Sequence, residues 1–187
     1  MSKDMKLILE NWENSSTMEQ YAVEIYNECV QKIIEEVKLL NEEKIELKEF
    51  MTKVASFAKS TLTAVKDLKD SAIEKVLQTA LSGLDSLLKQ LEEKLKQKAP
   101  NLIGKIRNVI QKLKEPENIK IAISIVSIIA GLLVGDAFSV LDQVLQIVEA
   151  GDNILAAYET ISNIQDNADI AAAVTKTGSL KLTEIMI

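Results

Sequence analysis

From Ile121 to Gly135 the chain runs for fifteen residues without a charge, and most of them are isoleucine, leucine or valine. Such a run has to be shielded from water, so the rest of the chain must wrap it or leave it in lipid. A helix of that length spans roughly 22 Å at about 1.5 Å per residue, short of the roughly 30 Å hydrocarbon layer. Extension to Ile119 on one side and Leu141 on the other would carry Lys120 and Asp136 into the layer. An Asp at mid-bilayer costs about 2.5–3.5 kcal/mol, whereas each Ile, Leu or Val returns only about 0.3–0.6. The run therefore reads as the central helix of a bundle, near residues 117–134, with membrane insertion of Ile119–Gly135 as the alternative. Ser124, Ser127, Gly131 and Gly135 follow one another at steps of three, four and four and share one face. Small residues in such a row let a second helix backbone come close, so these four are the candidate close-packing or membrane face.

The remaining chain supplies amphipathic helices to do the wrapping. Only two prolines and six glycines interrupt it, and aromatics make up 4%, so the core must be aliphatic. A helix over about 17–41 carries Tyr26, Val30, Ile33, Val37 and Leu40 at alternating steps of four and three, a heptad-like seam of the coiled-coil kind. A second stripe runs Leu47, Met51, Val54, Ala58, Leu62 (or Thr61), Val65 and Leu68. Ser71 with Glu74 has the form of a capping box and should open a helix running from Ile73 to Leu95. Pro100 should end it. A shorter amphipathic helix follows over Asn101–Lys114, and Pro116-Glu117 suits the first turn of the apolar helix. Gly135-Asp136 and Gly151-Asp152 each read as a glycine ending one helix and an aspartate capping the next, giving helices near 136–150 and 152–172. The expected organisation is an N-terminal arm over 1–14, an all-α bundle over 15–174 and a tail over 175–187. Within the bundle, 15–115 holds the long charged helices and 116–174 the apolar part.

The composition argues against chemistry. Histidine is absent, which removes the commonest general base and metal ligand. One cysteine allows neither an intrachain disulfide nor a thiolate metal site, and Cys29, among Ile25, Tyr26, Val30 and Ile33, reads as a small buried hydrophobe. The acidic residues beyond 135 are scattered, with only Asp142 and Glu149 one heptad apart on a shared face. Phosphate-binding, dinucleotide and nucleophile-elbow motifs are missing. We therefore expect no enzyme and no cofactor.

Charge is segregated. Residues 1–50 carry a net −6, residues 89–120 a net +5 and residues 121–187 a net −6. An acidic chain of this kind is not expected to bind nucleic acid. In the basic stretch Lys105, Arg107, Lys112 and Lys114 are candidates for contact with an acidic surface: a protein partner, the acidic ends of a neighbouring copy, or an anionic membrane.

At the N-terminus Met5, Ile8, Leu9 and Trp12 fall at i, i+3, i+4 and i+7, one face of a helix too short to stand alone. It needs a partner, and Ser16 with Glu19 forms a capping box that separates it from the next helix. The apolar run Leu7–Leu9 is too brief for a secretory signal, so synthesis and first residence in a cytoplasm are expected. Met5-Lys6-Leu7-Ile8-Leu9-Glu10-Asn11-Trp12 resembles the opening of many small structural and internal proteins of large contractile-tailed phages, especially marine ones. The resemblance implies an N-terminal helix that directs the protein into the assembling head. It also implies a head protease that cuts after the glutamate of a (Leu/Ile)-x-Glu tripeptide. Ile8-Leu9-Glu10 matches that tripeptide, making Glu10 the candidate processing site, and Leu182-Thr183-Glu184 matches too. The expected protein is a non-enzymatic helical structural or interaction protein, associated with a virion or its assembly.

Overall fold

The computed structural model describes residues 15–163. The arm residues Met5, Ile8, Leu9, Glu10 and Trp12, and the tail from 164 onward, lie outside the described residues, as does the side chain of Ser16. Among the described residues the chain is all-α, with eight helices and no strand. They are α1 (Ser15–Asn41), α2 (Leu47–Val65), α3 (Asp70–Gln90), α4 (Glu92–Lys98), α5 (Pro100–Leu113), α6 (Ile119–Val134), α7 (Phe138–Ala150) and α8 (Ile154–Ser162).

The apolar run is α6, and it is the axis of the bundle. Every residue from Ile121 to Leu133 is buried. Helices α1, α2, α3, α7 and α8 surround it, with α1 making the most extensive contact. Each aliphatic side chain so enclosed contributes about 1.5–3 kcal/mol, which is why α6 organises the fold. The seam of α1 points inward: Ile33 and Val37 are fully buried, and Tyr26, Val30 and Leu40 pack at its margins. At one end Ala22, Val65, Leu68, Ile73, Val76 and Ile123 form a second, smaller cluster.

Several helix ends differ from expectation. The apolar helix starts at Ile119, because the Oδ1 of Asn118 accepts from the backbone N–H groups of Lys120 and Ile121. A short amide at this position reaches the free N–H groups of the first turn, which Pro116 and Glu117 do not. The Ser71–Glu74 capping box does not form; Ser71 lies inside α3, whose N-cap is Lys69 without a side-chain cap. The single helix expected from Ile73 to Leu95 breaks at Leu91, and α4 begins at Glu92. Pro100 opens α5 in its first turn, where its missing N–H is harmless.

The glycine–aspartate pairs also behave differently. Gly135 keeps a right-handed φ of −79°, and Asp136 takes the left-handed conformation at φ 64°. Asp136 does not cap α7, whose N-cap is Ala137. Asp152 does not cap α8 either: Asn153 does, its Oδ1 accepting from the N–H of Ala156 at 2.7 Å.

Candidate functional site

Three groups of residues qualify by chemistry: the small face of α6, the basic stretch, and a cleft beside α5.

The small face receives α1. A Cβ built on Gly131 would stand 2.6 Å from the Cβ of Ile33, and one on Gly135 would stand 2.7 Å from Cγ1 of Val37. Hydrogen is thus the only side chain that fits at either position with the helices this close. Asn41 locks the far end, its Nδ2 donating to the Gly135 carbonyl at 3.2 Å. The Oγ of Ser124 and of Ser127 donate to the carbonyls four residues back, at 3.4 and 2.7 Å, so these buried hydroxyls are satisfied within α6.

Cys29 lies where α1 meets this face, 3% exposed. Burial pushes its thiol up, and hydrogen bonding with Thr61 and Ser127 only partly opposes that. Burial likewise pushes Tyr26 up to about 12. Neither group is activated, since both hold their protons more tightly than in water.

The basic stretch divides. The Nζ of Lys105 bonds the Asp142 carboxylate on α7. Lys112 donates to the carbonyls of Val148 at 2.8 Å and Gly151 at 2.5 Å, closing the C-terminal end of α7 where a cation is favoured. Lys94 pairs with Asp136 at 2.5 Å, and Lys120 bonds the Lys66 carbonyl at 2.6 Å and Asp70 at 3.5 Å. Among the described residues Lys98, Arg107 and Lys114 have no ion-pair partner. Of the four cations expected at an acidic surface, Lys105 and Lys112 therefore brace the bundle, while Arg107 and Lys114 face outward.

Arg107 and Lys114 line an open cleft of about 1230 Å³ between α3 and α5. The two helices touch little, because α3 packs on α6 and α1 whereas α5 packs on α7. Leu77, Leu81 and Ile110 form the floor. Arg107, Gln111 and Lys114, at i, i+4 and i+7, make one wall. Glu74, Gln78 and Asp85 on α3 make the other. The sequence reading missed this cleft, although a helical projection of α5 already places Arg107 and Lys114 on a different face from Lys105 and Lys112.

Among the described residues no three His, Cys, Asp or Glu side chains gather where they could hold a metal, and no helix is long and apolar enough to cross a membrane. The arrangement offers packing surface and paired charge. No known protein family, characterised protein or solved structure matches the chain.

Proposed function

We propose that the chain is a non-enzymatic helical structural and interaction protein used in assembling a phage particle. On this reading it binds other proteins through the outer faces of its bundle and through its N-terminal segment. The observation that carries the proposal is the enclosure of Ile121–Leu133 of α6 by five helices of the same chain. The most apolar segment is occupied internally, and most cations near it are tied to α7 or to helix ends. Val23, Val134 and Leu155 are the large apolar side chains left exposed among the described residues. Such a surface suits a protein partner of complementary charge better than a bilayer. The resemblance of Met5–Trp12 to phage structural and internal proteins supplies the setting.

The test is to purify particles after infection with the untagged chain present, and to identify the chain and its N-terminus by mass spectrometry. Recovery in particles, beginning at Asn11, is the expected result. A full-length chain found only outside particles, with no protein retained on it, would remove the proposal.

A membrane-active reading draws on a different observation. Three ion pairs, Lys120–Asp70, Lys94–Asp136 and Lys105–Asp142, fasten the α6–α7 pair to its neighbours. Their loosening would let that pair leave as a hairpin. Flotation with anionic vesicles, abolished by Ile125→Asp, would put this reading first; absence of flotation with anionic and neutral vesicles alike would eliminate it.

A further inference from the structure

We infer that the cleft between α3 and α5 is a docking surface for a second copy of this chain, joined face to face by a two-fold axis parallel to the cleft so that the acidic α3 wall of each copy lies over the basic α5 wall of the other. The inference deepens the interaction reading above and rests on it.

The cleft carries charges that the pairing within the bundle leaves over. Around α5 the cations find partners: Lys105 on Asp142, Lys112 on the end of α7, Lys94 on Asp136, Lys120 on Asp70 and the Lys66 carbonyl. Arg107 and Lys114 are exposed, sit one heptad apart on one face, and have no ion-pair partner among the described residues. Across the cleft Glu74 is also exposed and unpaired among the described residues, and Asp85 bonds only Lys89 of its own helix, at 3.4 Å. Glu74 and Asp85 lie eleven residues apart, three helical turns, on a common face of α3. The two walls carry opposite charge yet do not reach each other, because α3 and α5 diverge onto different supports.

A patch that is basic on one side and acidic on the other is complementary to itself under a two-fold rotation. The rotation sets the acidic α3 of one copy against Arg107 and Lys114 of its partner, and the reverse contact follows by symmetry. The cleft floor at Leu77, Leu81 and Ile110 is already buried within the chain, so the contact rests on the charged walls. Glu115 and Glu117 also line the cleft, just beyond Lys114, so the partner's acidic α3 has to lie over Arg107 and Lys114 and stop short of that end.

The test is sedimentation velocity over a range of concentrations on the full chain and two variants. One variant carries Arg107→Glu with Lys114→Glu; the other carries Glu74→Lys with Asp85→Lys. The wild type should self-associate to a dimer. Each variant alone should do so more weakly by about tenfold or more, since both of its symmetry-related contacts become repulsive. An equimolar mixture of the two variants should recover the dimer, because the basic walls of one then face the acidic walls of the other. Recovery in the mixture also shows that both variants are folded. A wild type that stays monomeric, variants that dimerise as well as the wild type, or a mixture that does not recover would each overturn the inference. A monomeric chain still found in particles would overturn the two-fold contact and leave the interaction reading standing. A chain that dimerises but never accompanies particles would do the reverse.

Discussion

Helices α5 and α6 follow each other in the chain, have 14 and 16 residues, and each contain one internal glycine. Their glycines do opposite things. A Cβ on Gly104 of α5 would meet nothing within 4 Å, whereas one on Gly131 of α6 would collide with Ile33 at 2.6 Å. In α5 one stripe is buried, running through Leu102, Ile106, Val109, Ile110 and Leu113, and the opposite side meets water. In α6 every residue from Ile121 to Leu133 is buried, so that stretch has no water side. A glycine on a solvated face only loosens its helix, but one at a helix crossing sets how near two backbones come.

The difference between α5 and α6 is largest at Ile125, and Ile125→Asp tests it. A carboxylate placed at that fully buried position has no partner, and stability should fall by about 4 kcal/mol or more. Urea titration followed by circular dichroism reads this, and a folded variant with a small shift would mean α6 is less enclosed than described. Gly131→Ala should come next, with a loss of about 2–3 kcal/mol as α1 is pushed away; a loss under about 1 kcal/mol, within ordinary helix-core tolerance, would deny the tight crossing. Lys112→Met should cost about 1–2 kcal/mol by uncovering the carbonyls at the end of α7, measured by the same titration. Gly104→Ala should have the opposite sign, raising stability by about 0.5–1 kcal/mol through helix propensity alone. The smallest effect concerns Cys29. Its raised pKa keeps the thiol protonated at neutral pH, so labelling by a thiol reagent should track global unfolding and accelerate with urea, not with a modest rise in pH.

Much of α6 could be read from residues alone, because an uncharged run has one requirement wherever it occurs. The row Ser124, Ser127, Gly131 and Gly135 was legible as a place of close approach, while its occupant, α1, was not. That pairing joins residues far apart in the chain, as the bond from Asn41 to Gly135 does across 94 positions. Gly135 misled about the turn: it is needed for space against Val37, so the left-handed backbone falls to Asp136. No glycine or proline marks the break at Leu91, which gives no local warning. The basic stretch looked uniform in one dimension. Residues two apart on a helix point about 200° apart, so Lys105 and Arg107 were bound to serve different surfaces.

The position of α6 also governs how the chain comes off a ribosome. It is the sixth of eight described helices, and the helices that wrap it from the front, α1 and α2, are complete well before it is made. At about 5–20 residues per second, roughly 3–14 s separate the end of α2 from the end of α6. For that interval Ile33 and Val37 have no α6 to cover them, and the early helices hold an inward face without an interior. A message cut before Ile119 would make that wait permanent. Its product would keep α1–α5 but lose the axis together with α7 and α8, leaving inward faces exposed to chaperones and proteases.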